Sequence, residues 1–386
     1  MTYFISAIAV IAITLFFFTL ANVLSWRRIR PLNVQQGQFS KSISVLIPAR
    51  NEAQTIERCV ESALRQGDVI AEVLVYDDQS EDDTAERVRA LYKKDQRVHL
   101  IAGIQLTPGW YGKPHACFQL AKHARAPWML FLDADAVLEP NSASSMVNEA
   151  VNRNVTLLAF WPGIVLGSHV EKFLMPLLNF FVFTMFPTFF ASRSNDERFG
   201  LAHGACMLFH RETYHRLGGH ALVKNELFED TVLTRLWRRN GERSLCVDGQ
   251  NVVRVRMYST LAEIWMGFKK NFYPGFRSGM MFWFFIAFHF TVFLLAFLLL
   301  PFTWQETIGI AAGIAVLAVL SIRFILALRF HYPLLPILFH PVAESFVIAI
   351  GIASWWKWKH GSGVTWKGRQ YKSNADKNIS ARGTAL

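Results

Sequence analysis

Two uncharged stretches set the outer limits on what this chain folds into. Thr2 to Trp26 runs for 25 residues without a charge, and Gly279 to Leu300 for 22. About 20 apolar residues are enough to cross a bilayer as a helix, so both stretches predict transmembrane segments. The first has no basic stretch ahead of it and ends on Arg27, Arg28 and Arg30 rather than on a small-residue cleavage site. That predicts an uncleaved anchor over residues 1–26 instead of a secretion signal. Cationic flanks stay on the cytoplasmic side, so the arginines place the following chain there. A Gln-rich linker (27–41) leads to a central region long enough for one α/β domain of roughly 200–250 residues.

In that region short β-branched runs alternate with helical ones. Ser42 to Ile47 predicts a buried strand, stopped by Pro48. A helix is predicted from Asn51, with Ile56, Val60 and Leu64 on one face. Ala71 to Tyr76 predicts a second strand ending in Asp77-Asp78, before a helix to Leu91 capped by Ser80 or Asp82. A third strand (Arg97 to Ile101) and a helix (His115 to His123) lead to the apolar run Trp128 to Leu132. The alternation predicts an α/β fold with a mostly parallel sheet covered on both faces. The first strand ends in Pro-Ala-Arg-Asn-Glu, without glycine, which excludes a dinucleotide fingerprint and a phosphate loop. The strand ends carry acid instead: Glu52, Asp77, Asp78, Asp133 and Asp135.

Asp133-Ala-Asp135 follows the most apolar of these strands, at the sheet edge where open α/β folds place ligands. On strand-like backbone two residues apart point the same way. Paired carboxylates at a cleft repel one another unless a cation lies between them, and a hard divalent ion on phosphate oxygens supplies one. Asp133 and Asp135 are thus candidate ligands for Mg²⁺ or Mn²⁺ on a nucleoside diphosphate. Asp77 and Asp78 are placed to accept hydrogen bonds from a base or ribose, and Lys113, between Gly112 and Pro114, to meet a phosphate. Pro48, Arg50 and Glu52 complete the nucleotide-binding set. Taken alone, each has a plainer use: a helix cap for 50–52, turn formation for Asp77 and Asp78, a surface lysine for Lys113. Glu229-Asp230 opens another predicted helix, where a carboxylate also caps backbone N–H groups. Asp230 is the candidate general base, taking the proton of an acceptor oxygen that attacks a sugar carbon opposite the leaving phosphate.

The remaining stretches point to a membrane surface. Residues 173–191 are apolar but interrupted by Pro176 and Pro187, which predicts an interfacial helix or the wall of an apolar acceptor channel rather than a clean span. The C-terminal region 279–356 predicts two to three spans, with Arg323 near a cytoplasmic end and His340, Pro341 and Glu344 complicating the last. Crossing of 333–356 would put the basic tail (357–386) outside, although its lysines favour the inside. The net charge of +11 collects beside apolar runs and in the tail, as suits an anionic membrane face and not nucleic acid. Cys59, Cys117, Cys206 and Cys246 show no ligand spacing and read as interior thiols of a reducing compartment.

Six motifs carry a resemblance: SVLIPARNE (44–52), VYDDQSEDDT (75–84), GKPHA (112–116), FLDADA (131–136), AHGACMLFHR (202–211) and FEDTVL (228–233). Together they resemble the membrane-bound family 2 glycosyltransferases of the GT-A fold, over roughly residues 42–275. The resemblance implies a catalytic domain there, a UDP-sugar donor, the base on Asp77 or Asp78, metal and diphosphate on Asp133 and Asp135, and the general base on Asp230. The Q-x-x-R-W motif of processive synthases has no counterpart between Thr231 and Gly279, which favours single transfer over polymerisation. With its apolar segments the chain resembles the lipid-modifying branch, above all the diaponeurosporenoate glucosyltransferases of carotenoid pathways and more distantly ceramide glucosyltransferases. A polyprenyl-phosphate or polysaccharide acceptor is the alternative within the class. A transporter or scaffold with an inactive nucleotide-binding domain is the alternative outside it.

Overall fold

Neighbouring residues of a strand face opposite sides of its sheet, and here both sides are apolar. Val45, Ile47, Val73, Val75, Leu130 and Leu132 are buried on one side, and Leu46, Leu74, Tyr76, Met129 and Phe131 on the other. Such strands are stable only with helices on both faces. The computed structural model describes residues 2–29, 31, 39–276, 278–304, 306–360, 364–366 and 369–371. Arg30, residues 32–38 of the expected linker, Lys367 and the far tail lie outside the described residues.

The strands are β1 (Ile43–Ala49), β2 (Ile70–Asp77), β3 (Val98–Ala102), β4 (Trp128–Leu132), β5 (Ala136–Leu138), β6 (Leu157–Trp161), β7 (Gly163–Ile164), β8 (Cys206–His210), β9 (Ser244–Asp248) and β10 (Val253–Val255). The main sheet runs β3-β2-β1-β4-β8-β6-β9, and β5-β10-β7 form a smaller one. In the main sheet parallel pairing holds except at β8, which is antiparallel to both β4 and β6; in the smaller sheet β10 is antiparallel to β5 and parallel to β7. The main sheet is therefore mixed. The chain leaves β6 for the proline-broken segment and re-enters the sheet at the same end, so β8 runs back antiparallel.

Helices α1 (Thr2–Ser25), α2 (Ile56–Leu64), α3 (Thr84–Lys94), α4 (Gly112–His123) and α5 (Ser142–Asn152) come first. The helix expected from Asn51 starts only at Ile56, because Asn51 has a left-handed backbone (φ 53°). The proline-broken segment becomes α6 (His169–Leu174), α7 (Pro176–Met185) and α8 (Thr188–Ala191). Ser168 and Glu171 form a capping box ahead of α6, and Pro176 takes the first position of α7, where a missing N–H costs nothing. Beyond them lie α9 (Arg211–Leu217), α10 (Glu229–Arg239) and α11 (Leu261–Asn271).

The membrane part comprises α12 (Gly279–Phe288), a π-helical turn (His289–Leu294), α13 (Leu295–Thr303), α14 (Thr307–Phe330) and α15 (His340–His360). Among the described residues four helices are long and apolar enough to span a bilayer: Thr2–Ser25, Gly279–Thr303, Thr307–Phe330 and Leu335–His360. This is a multi-pass membrane protein. α15 runs antiparallel against α12. The Trp283 and Trp355 rings lie 5.2 Å apart, His289 Nδ1 is 2.6 Å from Glu344 Oε1, and His340 Nε2 is 3.2 Å from the Phe293 carbonyl. The end of α15 thus returns to the level at which α12 begins.

The anchor is joined to the main sheet, not tethered to it. The Ile29 N–H donates to the Asp248 carbonyl, and the Asp248 N–H to the Arg27 carbonyl, both at 3.0 Å, extending the sheet by one bridge beyond β9. The Asp248 carboxylate, fully buried, pairs with Arg28 (3.2 Å) and with Arg329 at the end of α14. Arg28, read from sequence only as a topology signal, is thus half of a joint. Asn22 donates to the Phe183 and Phe186 carbonyls at 2.9 Å, closing the end of α7 against α1. Asn179 accepts from the Trp161 indole (2.9 Å) and donates to the Tyr332 hydroxyl (2.8 Å), tying β6 to the end of α14.

Candidate active site

The acidic pair sits on a turn, not on the strand-like backbone expected for it. β4 ends at Leu132, and the Ala136 N–H donates to the Asp133 carbonyl at 2.9 Å. The consequence expected for the side chains survives: Ala134 and Ala136 are buried while Asp133 and Asp135 are both half-exposed. Burial first, then the nearby charges of Asp133 and Glu52, push the Asp135 carboxyl up to about 7. Cys59 lies beneath the turn, its Sγ 3.5 Å from the Asp133 carbonyl.

Lys113 is where the separate motifs meet. It stands in the first turn of α4, whose approach is pinned by the Tyr111 N–H donating to the Lys224 carbonyl at 2.6 Å. Its Nζ lies 2.7 and 3.0 Å from the two Asp133 oxygens, 3.4 Å from Glu229 Oε1 and 3.5 Å from the Gly204 carbonyl. Burial works against the ammonium, but Asp133 and Glu229 outweigh it and hold its pKa well above the usual lysine range.

Gly204 is the close approach that lets this happen. A Cβ there would stand 3.0 Å from the lysine Nζ and 3.3 Å from Asp230 Oδ2. Asp230, in the first turn of α10, accepts from the Thr231 N–H at 2.6 Å and from the Gly204 N–H. Burial first, then Glu229, push its carboxyl up to about 7 against the opposing pull of Lys113. His203 is packed edge-on to Trp161 at 5.3 Å, and burial lowers its ring pKa to about 4.

The loops after β1 and β2 are laced together beside this cluster. Arg50 donates to the Asp78 and Gln79 carbonyls at 2.7 and 3.2 Å. The Glu52 N–H donates to Thr84 Oγ1 (2.8 Å), and Asp77 Oδ1 accepts from the Ser80 N–H (3.1 Å). Pro48 lies opposite Tyr76 in the sheet, and Asp78 is buried. Arg50 thus shapes the loop that presents Asp77. Gly103 completes this corner: a Cβ there would fall 2.3 Å from the Asp77 carbonyl.

Among the described residues no group of three or more His, Cys, Asp or Glu is arranged to hold a metal. Two adjacent carboxylates fit an ion such as Mg²⁺, which is commonly held by one or two protein carboxylates and completed by substrate phosphates and water. The raised Asp135 fits too, since an added cation relieves the repulsion that raises it.

Residues 44–218 match the family described as Glycosyl transferase family 2. Over that span the chain is similar to glycosyltransferase family 2. The 4,4'-diaponeurosporenoate glycosyltransferase of Staphylococcus aureus (strain USA300) is 27% identical to this glycosyltransferase over 343 residues, covering 86% of this chain and 88% of the relative. The same enzyme from strain MRSA252 is 26% identical over the same shares. Among solved structures, the mannosyltransferase PcManGT from Pyrobaculum calidifontis, in complex with GDP-Man and Mn2+, superposes with a TM-score of 0.53 at 18% identity, covering 92% of this chain and 99% of that one. That likeness speaks for the GT-A fold.

In this glycosyltransferase the structure gathers Asp133, Asp135, Lys113 and Asp230 at one place, with Glu52 close enough to act on Asp135. Asp77 and Asp78 lie at the end of the neighbouring strand β2. Sequence reasoning missed Glu229 as the second partner of Lys113 and Gly204 as the space between them. The only sign of Gly204 was its place within a strand-like motif. It also missed Tyr258, whose hydroxyl is raised to about 12 by burial and by the charge of Asp135. No motif marks Tyr258. Its ring fits only because Gly267 of α11 lacks a Cβ, which would fall 2.2 Å from the ring.

Proposed function

We propose that this glycosyltransferase moves a hexose, glucose in the finer reading, from a UDP-sugar to the polar end of a membrane lipid, with inversion at the anomeric carbon. The observation that carries the reading is the convergence of Asp133, Lys113 and Asp230 on Gly204. It supports a diphosphate-binding edge and a carboxylate base sharing one small space. Asp77 and Asp78 hold the nucleoside, with Pro48, Arg50 and Glu52 forming the wall and loop beside them. Lys113 keeps Asp133 in place and offers its charge to the departing phosphate. Asp133 and Asp135 would hold Mg²⁺ or Mn²⁺, which when bound stabilises the charge that builds on the leaving diphosphate.

Asp230 takes the acceptor proton. Its raised pKa suits that task, because a base works best when its pKa lies near the working pH. An alcohol needs such a base. So does a carboxylic acid that arrives from apolar surroundings, where burial keeps it protonated above its aqueous range. The name of the Staphylococcus relative supports a carotenoid carboxylic acid as acceptor. The membrane-facing segment α6–α8, locked to α1 through Asn22 and to α14 through Asn179, supports entry from the bilayer.

We also propose that the catalytic domain (42–275) is cytoplasmic, with Arg27 and Arg28 on its side of the anchor. Both ends of 331–360 share that side. Arg329 ties the preceding helix to Asp248, and α15 ends beside the start of α12. The last apolar segment then dips into the membrane and returns, which leaves the basic tail with the catalytic domain. A single cysteine placed at Gly361 in a cysteine-free background should stay unlabelled by an impermeant maleimide in intact cells; labelling there overturns this topology. For the reaction itself, membranes holding the enzyme are incubated with labelled UDP-glucose, UDP-galactose or GDP-mannose and a lipid extract. A labelled lipid of inverted configuration is expected with UDP-glucose, and label appearing only in a polymer or a soluble sugar would refute the reading.

A further inference from the structure

A second concave site lies between α11 and α15, away from the carboxylates described above. It has a volume of about 720 Å³, the size of a ligand site rather than a gap between helices. On α15 the lining residues Ala349, Ile352, Ala353 and Trp356 recur at helical spacing, forming one stripe. The two alanines make a shallow floor, and Ile352 (41%) and Trp356 (59%) stand exposed at its edge. Across the groove stands Trp265 of α11, packed against Phe346 with rings 5.4 Å apart, which closes one end. The other end is cationic: Lys269, one turn beyond Trp265, faces Lys357 and His360, and no Asp or Glu lines the groove.

An apolar trough that opens onto lysines at the end of a membrane helix has the amphiphilic order of a lipid. We propose that this groove binds one anionic phospholipid, its acyl chain along Ala349, Ile352 and Ala353 and its phosphate at Lys269, Lys357 and His360. Charge complementarity selects the occupant: a zwitterionic lipid brings a second cation to a rim that is already cationic. The site reaches the chemistry through α11. The opposite face of that helix carries Gly267, against which Tyr258 is packed, and the charge of Asp135 acts on the Tyr258 hydroxyl. A bound lipid braces α11 and so braces Tyr258. The proposal is independent of which lipid is glycosylated.

The test uses the full chain in nanodiscs of phosphatidylcholine with and without phosphatidylglycerol. Native mass spectrometry should find one phosphatidylglycerol retained by the wild type in preference to phosphatidylcholine. In Lys269→Gln/Lys357→Gln that retention should fall roughly twenty-fivefold, about a factor of five per lysine. Turnover should rise with phosphatidylglycerol content in the wild type and not in the double variant, with equal turnover of both in pure phosphatidylcholine. Should the double variant not fold, Ala349→Trp fills the acyl seat without touching the charges and should lose the same retention. Inorganic phosphate at millimolar concentration should not displace the lipid. Equal retention of both lipids, retention unchanged in the variants, or displacement by phosphate would each overturn the assignment.

Discussion

Asp248 and Asp230 are both recessed aspartates of the catalytic domain, and they are treated in opposite ways. Asp248, at the membrane end of the sheet, pairs with Arg28 at 3.2 Å and with Arg329, and receives the Gln250 side chain at 3.0 and 3.1 Å. Every lone pair has a partner and the charge is neutralised. Asp230 has two backbone N–H groups, while the nearest cation, Lys113, is engaged by Asp133 and Glu229. Its pKa rises accordingly. A compensated buried carboxylate makes a joint; an under-compensated one in a cleft retains chemical capacity.

The largest effect should come from Asp230→Asn. Losing a general base lowers turnover by about 10²–10⁴, with donor binding nearly unchanged by calorimetry; a variant that keeps most of its turnover would place the base elsewhere. Asp248→Ala should act on the other side of the comparison. It strands two guanidinium groups and should cost about 3–5 kcal/mol, read as a lower unfolding midpoint, while the folded fraction still turns over. Were Asp248→Ala to abolish chemistry with stability intact, the two aspartates would not be so different. Asp135→Ala should weaken Mn²⁺-dependent donor binding by about 10–100-fold, at least the loss seen when an outer partner of a metal site is removed; unchanged affinity with Mn²⁺ present would sink the metal role. The mildest test is pH. Asp230 must be ionised to act and its pKa is raised to about 7, so activity should rise with pH up to about 7. Below it, activity should fall about tenfold per unit, and a limb in the ordinary carboxylate range would remove Asp230 from the rate.

The contrast also separates what was legible in the sequence from what was not. The alternation of β1 to β4 with their helices could be read because each strand is apolar on both faces and each helix on one. The site carboxylates could be read because they terminate those strands. Nothing local distinguishes Asp248 from any aspartate in a strand, since its partners are Arg28, 220 residues before it and just past α1, and Arg329 at the end of α14. The antiparallel entry of β8 was hidden for a similar reason: its direction is set by the excursion through α6–α8, not by its own residues. Lys113 could be read as a phosphate contact from its loop, but its bond to Glu229 depends on Gly204, whose contribution is an absent Cβ.

The bridge between residues 27–29 and β9 has a further consequence. A domain on a flexible tether samples a range of heights above the bilayer and can search for its acceptor. Here the anchor continues the sheet by main-chain hydrogen bonds, and Asn22 and Arg329 fix it at two more points. The altitude of Asp230 above the hydrocarbon is therefore built in, and the protein works as a ruler. With Asp230 as the proposed base, a lipid would be accepted or refused by whether its nucleophilic oxygen reaches that one height, and headgroup length would select among lipids even where no side chain reads the headgroup.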